Sequence, residues 1–323
     1  MPKKTITKFS VFVIFTTFAS LFAGGCHSNT VGGGEPPTFD QRNSPYDEPK
    51  IVGKFESGEI SESSGIAASA CQQDVIWTHN DSDNGAFLYA LNLKGSHLGT
   101  WQVSNAKNFD WEDLALRRDA NGKCYLYIGE IGNTKENERA EHKIYRILEP
   151  LVDESDSKST KKSPKQTESA EVLTFRYSDA RHDAETLLVH PVSGNIYVIT
   201  KQRSGPSSVY KLKPDFDSTI VAKAEKLADL SVPAILSGLL TGGGIAPDGR
   251  RVIICDYFAG YEFVLPEGVG NLDEIWKQKP SVIALGDRKQ GEAIGYSADG
   301  LSILATSEGK FSPLIEVKKR KQP

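Results

Sequence analysis

Apolar residues along this chain fall into short β-branched and aromatic runs, separated by turns of Asp, Asn and Gly, and the arrangement recurs. A first element appears as Ser63-Ser64-Gly65-Ile66-Ala67, Trp111-Glu112-Asp113-Leu114-Ala115, Ala184-Glu185-Thr186-Leu187-Leu188, Gly242-Gly243-Gly244-Ile245-Ala246 and Gly291-Glu292-Ala293-Ile294-Gly295. Turns such as Asp119-Ala120-Asn121-Gly122 and Pro247-Asp248-Gly249 follow; their residues tolerate positive φ and suit hairpins. Next come Val75-Ile76-Trp77, Tyr125-Leu126-Tyr127-Ile128, Ile196-Tyr197-Val198-Ile199, Val252-Ile253-Ile254 and Ile303-Leu304-Ala305, which read as buried strands. A third strand has apolar–x–apolar spacing, as in Leu88-Tyr89-Ala90-Leu91 and Leu314-Ile315-Glu316-Val317, and a fourth leads into the next copy. Four strands per repeat at about 50 residues predicts an all-β fold, a five-bladed β-propeller. A sandwich does not repeat in this way.

The copies end where the chain does, near Val317, and the fifth lacks a fourth strand. An orphan strand at Ile51-Val52-Gly53-Lys54-Phe55 supplies it and removes an open edge. The long step from Leu114 to Leu187 contains a Ser/Lys/Glu-rich low-complexity insert at about 152–170. The predicted organisation is a leader at 1–25, a tether at 26–49 and one propeller domain at 50–323.

The leader has a basic start (Lys3, Lys4, Lys8) and an apolar run from Phe9 to Ala23, the pattern of a secretory signal peptide rather than a spanning helix. Small residues before Cys26 resemble a bacterial lipobox, although Ala23 stands where Leu is usual. Cleavage there and lipidation of Cys26 would make the membrane a partner through a lipid anchor; the other reading is an ordinary signal peptide cleaved nearby. Export to the cell envelope is the expected location; resemblance to Gram-negative lipoproteins implies that His27 after Cys26, where no Asp stands, argues against inner-membrane retention. Gly, Pro, Ser and acidic residues fill the tether. The formal charge of −4, with 42 Asp+Glu against 38 Lys+Arg, gives no cationic field to recruit nucleic acid. A monomer is expected.

In a propeller the loops leading into the first strand and leaving the second open on one face. They carry the polar residues here. Glu112, Glu185 and Glu292 occupy one repeat position in three copies, as candidate metal ligands for a hard cation such as Ca²⁺ or Mg²⁺. Asp110, Asp113, Asp183, Lys201, Glu308 and Asn80 are candidate ligand-binding residues beside them. Convergent carboxylates repel unless a cation, Lys201 or protonation compensates; the alternative is that each Glu ties strands together through backbone N–H groups. Glu130 and His79, the latter placed in a loop, are the candidate catalytic bases. Asn80-Asp81-Ser82-Asp83-Asn84-Gly85 lacks the EF-hand spacing and reads as a polar turn. No G-x-S-x-G, H-E-x-x-H, C-x-x-C or P-loop occurs. Cys71 and Cys124 precede the second strand of neighbouring copies, so a disulfide is open to them, while Cys255 reads as core. The tail Lys318-Lys319-Arg320-Lys321 reads as solvated.

Trp77-Thr78-His79-Asn80-Asp81-Ser82, Asp110-Trp111-Glu112-Asp113-Leu114-Ala115, Tyr125-Leu126-Tyr127-Ile128-Gly129-Glu130-Ile131-Gly132-Asn133, Thr241-Gly242-Gly243 and Gly291-Glu292-Ala293-Ile294 together resemble secreted bacterial five-bladed β-propeller proteins of unassigned function. That group usually carries Asp where Gly244 and Glu130 stand here. A looser resemblance, to lactonase-like and phytase-like propellers, implies metal-dependent hydrolysis as an expectation. Three functions therefore stand open: a cation- and ligand-binding propeller, whose ligand is a small polar molecule or a protein; a metal-dependent hydrolase of esters, lactones or phosphoesters; and a non-catalytic scaffold.

Overall fold

The computed structural model describes residues 44–82, 84–133, 138–234 and 238–320. The leader, Cys26 and most of the tether lie outside them. The fold is all-β and propeller-like. Strands β2 (Ser63–Ala68), β3 (Ile76–Asn80), β4 (Phe87–Leu91) and β5 (His97–Ser104) form an antiparallel meander. The second group is β6 (Trp111–Arg118), β7 (Cys124–Glu130), β8 (His142–Leu148) and β10 (Glu171–Tyr177). The third is β11 (Ala184–Val189), β12 (Ile196–Thr200), β13 (Ser207–Leu212) and β14 (Val221–Leu230). The parallel pair β10/β14 joins these two groups into one eight-stranded sheet. The fourth is β15 (Gly242–Ile245), β16 (Arg251–Cys255), β17 (Ala259–Val264) and β18 (Ser281–Ala284). The last is β19 (Ile294–Tyr296), β20 (Ser302–Ala305) and β21 (Pro313–Lys318), whose free edge pairs antiparallel with β1 (Lys50–Lys54).

The first strand of each group packs against the next: β2 on β6, β6 on β11, β11 on β15, β15 on β19 and β19 on β2. Antiparallel alternation puts the starts of these inner strands and the ends of the second strands at one end of the molecule, here termed the mouth. Side chains between neighbouring sheets form the core. One cluster holds Trp77, Trp101, Trp111, Leu126 and Tyr145; another holds Tyr197, Ile254, Phe263 and Trp276. Trp77 lies edge-on to Trp101 at 5.1 Å, and its indole N–H donates to the buried Glu149 carboxylate at 2.8 Å.

Two expectations, on the tether and on the basic tail, are corrected. The low-complexity insert is not without structure. Asp153 caps a 3-10 turn at Glu154–Lys158, and strand β9 (Lys165–Ser169) then adds parallel to β5. The Lys165 ammonium meets the buried Asp156 carboxylate at 2.8 Å, so part of the polar composition is spent within the insert itself. Nor does the tether run free to residue 49. Tyr46 is fully buried and its hydroxyl donates to Glu262 at 2.5 Å, while Tyr296 donates to the same oxygen at 2.7 Å. The basic tail is likewise engaged: Asp47 N–H donates to the Lys318 carbonyl, Tyr46 and Lys319 form a β-bridge, and Arg320 pairs with Asp47 at 3.4 Å.

Candidate functional site: an acidic mouth

Backbone irregularities aim the acidic side chains. In β6 and β7, Trp111 faces Glu130 and Asp113 faces Gly129, leaving Glu112 as an extra residue. Glu185 is the extra residue between Ala184 and Thr186 in β11, as Ser64 is between Ser63 and Gly65 in β2. A bulge at the start of a strand interrupts the alternation of faces and turns a side chain away from the sheet. Glu292 precedes β19, flanked by hydrogen bonds from Thr306 N–H to the Ala293 carbonyl and from Glu308 N–H to the Gln290 carbonyl. The fourth group contributes glycine at this level. A Cβ on Gly242 would stand 2.4 Å from the Glu292 carbonyl oxygen, so no side chain fits.

These placements gather carboxylates into three overlapping sets: Asp81, Asp110 and Glu112; Glu112, Asp183 and Glu185; and Asp81, Glu292 and Glu308. Within each, one oxygen per residue lies within 4.8 Å of the others. Glu112, Glu185 and Glu292 are only 6%, 8% and 4% exposed. Lys201 Nζ meets Glu185 Oε1 at 2.5 Å. Ser64 Oγ donates to Glu292 at 3.4 Å. Among the described residues nothing donates a hydrogen bond to Glu112 or forms an ion pair with it. Room for this carboxylate comes from Gly132, where a Cβ would lie 2.0 Å from Glu112 Oε1 and 2.6 Å from Asp110 Oδ2.

The electrostatics follow from burial and like charge. Burial raises the pKa of Glu112, and the charges of Glu185, Asp81, Asp110 and Glu292 raise it further. Burial also raises Glu185, with Lys201 opposing. Glu292 is pushed up to about 8, by burial first and then by Glu308. Asp81 reaches about 7 by burial, opposed by the Ser82 N–H and reinforced by Glu292. Asp183 and Glu308 are raised by burial too. Burial works against the Lys201 charge, but Glu185 beside it prevails and the ammonium is held more firmly than usual.

Other predicted site residues stand apart from this chemistry. His79 is not in a loop: it is the fourth residue of β3 and fully buried, with its ring edge-on to Trp111 at 5.7 Å and Nδ1 3.0 Å from the Asn80 carbonyl. Burial lowers its pKa to about 4, so it is neutral and closed off as a base for a molecule in the mouth. Glu130 ends β7, buried, accepting from the Phe109 and Asp110 N–H groups at 2.9 and 3.0 Å and paired with Arg139; it is tied rather than poised. Asp113 is fully buried and accepts three backbone N–H bonds, from Leu114 at 2.8 Å, Leu187 at 2.9 Å and Gly243 at 3.2 Å. It links three inner strands. Asn80 clamps a loop, accepting from Ser61 and Glu62 N–H and donating to the Glu59 carbonyl. Asp183 accepts from Asn133 N–H at 2.8 Å while staying in the cluster. Cys71 and Cys124 are joined by a disulfide with Cα atoms 6.1 Å apart, and Cys255 is a buried free thiol whose pKa burial pushes up to about 11.

Three contributors escape the repeat pattern. Asp81 was visible only as part of a polar turn, Arg139 lies in a non-repeating loop, and Gly132 acts through an absent side chain. The register of Asp81, at the exit of a second strand like Glu130 and Lys201, was the available signal. A separate cavity of about 410 Å³ lies at the opposite end of the inner strands, lined by Ile66, Leu114, Leu188, Ile245, Tyr296 and Arg117 among others. Its lining mixes apolar side chains with Arg117, Arg118 and Ser297, and it is remote from the carboxylates.

No family model and no curated protein sequence matches the chain. Among solved structures, the PQQ-bound form of aldose sugar dehydrogenase from Streptomyces coelicolor is similar at 10% identity, covering 84% of this chain and 98% of that one, with a TM-score of 0.48. A luciferin-regenerating enzyme is similar at 9% identity, covering 83% and 93%, with a TM-score of 0.42. The description of the fold rests on the strand pairing itself.

Proposed function

We propose that this chain is an exported lipoprotein whose five-bladed β-propeller, closed by β1 on β21, holds a divalent cation, Ca²⁺ or Mg²⁺, and with it a small polar or protein ligand at the acidic mouth. The observation that carries the reading is Glu112: a carboxylate 6% exposed, without a hydrogen-bond donor among the described residues, between two sets of further carboxylates. An ionised group so placed is costly unless an opposite charge meets it. A hard cation with oxygen ligands meets it. Lys201 already neutralises Glu185, so the cation belongs on the side of Glu112 that faces Asp81. Export is supported by the Cys71–Cys124 disulfide, which suits an oxidising compartment. The anchor on Cys26 rests on the leader sequence.

Calorimetric titration of the protein with CaCl₂ and MgCl₂, with metal analysis of purified material, tests the proposal. The expected result is one site, lost in Glu112→Gln. If neither cation binds and chelator leaves the melting temperature unchanged, the scaffold reading replaces it. Retention of a Cys26→Ser variant in the membrane fraction would remove the lipid anchor.

A second reading, metal-dependent hydrolysis of an ester, lactone or phosphoester, is favoured by one observation. Glu292, 4% exposed and grouped with Asp81 and Glu308, is raised by burial and by Glu308 when no cation is bound, which makes it the candidate proton donor of that reading. Turnover of such substrates, lost in Glu292→Gln with cation binding retained, would support hydrolysis; no turnover leaves the binding function.

A further inference from the structure

The carboxylates at the mouth are compensated unevenly. Lys201 serves Glu185, and Arg139 pairs with Glu130 and lies 4.0 Å from Asp110. Asp81, Glu292 and Glu308, whose oxygens lie within 4.8 Å of one another, have no lysine or arginine at ion-pair distance among the described residues. Glu112, which has no donor or ion pair among the described residues, shares Asp81, so among the described residues this half of the mouth carries more carboxylates than cations.

Three exposed aromatic side chains stand in loops at the same end: Phe109 at 56%, Phe258 at 72% and Phe311 at 53% exposure. They are all the aromatic residues among the exposed large hydrophobic side chains of the described chain; aliphatic members such as Val192 and Leu301 lie in turns at the opposite end. The loops of Phe109 and Phe311 adjoin the trio directly, and that of Phe258 is joined to it through Arg288. Asn108, next to Phe109, donates to the Asp81 carbonyl at 2.9 Å. Phe311 shares the β20–β21 loop with Glu308. The loop of Phe258 accepts, at the Asp256 carbonyl, a hydrogen bond from Arg288, whose guanidinium packs on Gly291 beside Glu292. Phe311 has φ of 60°, a region that bulky side chains rarely adopt, and its half-exposed ring lies over Gly58.

Exposed aromatic rings around a desolvated carboxylate cluster form a surface with an apolar anchor zone and acidic groups that an inserted cation would ionise and match. A small inorganic cation would use the carboxylates and leave three rings wet. A polypeptide with a basic side chain among apolar neighbours would use both, and the aromatic faces also attract cations. We infer that the Asp81–Glu292–Glu308 half of the mouth docks a polypeptide partner, which inserts a lysine or arginine side chain there and lays apolar residues on Phe109, Phe258 and Phe311. This rests on the reading of the mouth as a ligand site and names the chemistry of its protein ligand.

The test is a fluorescence-anisotropy titration of the protein with heptapeptides bearing a central lysine or arginine flanked by leucine or valine, beside counterparts with central glutamate, in EDTA and in CaCl₂. Basic peptides are expected to bind and glutamate peptides not. Phe258→Ala combined with Phe311→Ala should weaken binding at least tenfold, with circular dichroism confirming the fold. Glu308→Gln should weaken it similarly and reduce the salt dependence. Failure of every basic peptide to bind below millimolar, equal binding of glutamate peptides, or indifference to the phenylalanine changes would overturn the proposal. Separate calcium titration of the unaltered protein keeps the two readings apart. Peptide binding without calcium binding removes only the cation site, and calcium binding without peptide binding removes only this partner.

Discussion

Adjacent carboxylates at 112 and 113 provide the sharpest test, because the structure gives them opposite work. Asp113 Oδ1 accepts Leu114 N–H, and Oδ2 accepts Leu187 and Gly243 N–H. Asp113→Asn replaces one acceptor oxygen with an NH₂ group. Whichever way the amide turns, at least one backbone donor loses its acceptor and meets another donor, leaving two buried N–H groups unsatisfied. At about 1–3 kcal/mol for each such group, less the desolvation recovered by removing a buried charge, the net cost is about 3 kcal/mol. Glu112→Gln removes a buried charge that has like-charged neighbours and no donor, so the cation-free protein should change by under about 1 kcal/mol, toward greater stability. Urea denaturation at pH 7 in EDTA, followed by tryptophan fluorescence, measures both. The four tryptophans, Trp77, Trp101, Trp111 and Trp276, are all buried. The midpoint should fall for Asp113→Asn at an unchanged m-value and hold or rise for Glu112→Gln. An Asp113→Asn variant within 1 kcal/mol of the parent, or a Glu112→Gln variant that loses more than it, would refute the assignment of tie and ligand.

Three further outcomes follow from the same geometry. The raised folded-state pKa values of Glu292 (about 8) and Asp81 (about 7) mean that these two groups hold more protons in the folded protein than in the unfolded chain, so without a cation their contribution to stability is lost as pH rises through about 7 to 8. His79 and His142, lowered by burial to about 4, act in the opposite sense below their ordinary pKa of about 6.5, so thermal melts in EDTA at about pH 6.5 and 8.5 check the carboxylate sign. Paired Cys71→Ser and Cys124→Ser changes release a disulfide spanning 53 residues; chain-entropy reasoning gives about 4 kcal/mol of lost stability, and a loss under 1 kcal/mol in urea would contradict it. Gly132→Ala sets a methyl group against Glu112 and Asp110, so calcium affinity by calorimetry should fall at least about tenfold, with unchanged affinity counting against the cation site.

Much of this fold was legible because its strands are built from a local repeat: the runs around Ile66, Leu114, Leu187, Ile245 and Ile294 each begin or sit within an inner strand. What was less legible depended on partners distant in sequence. The serine- and lysine-rich insert has no apolar pattern, yet β9 gains its hydrogen bonds from β5. Tyr46 sits in a tether-like composition and is buried because Glu262, on β17, supplies its partner. At the site, repeat position singled out Glu112, Glu185 and Glu292 as metal ligands and placed Asp113 beside them as a ligand-binding residue. A strand's alternation does not reveal which of two neighbouring acids falls on a bulge and which faces three amides. His79 looked like a loop residue because polar sequence follows it, whereas β3 continues to Asn80.

The pairing of β1 with β21 has a consequence for how the chain is assembled in time. Lys50 pairs with Glu316, and Lys54 with Pro313. The strand synthesised first therefore waits for the strand synthesised last, and Tyr46 reaches its buried position only once Glu262 and Tyr296 exist. Contacts of such sequence separation form late and slowly. Until they do, β21 presents an unpaired edge of the kind that joins other chains. The closing pair is intramolecular only if β1 stays close to the finishing sheet, so the last step of assembly competes with pairing of the β21 edge to another chain.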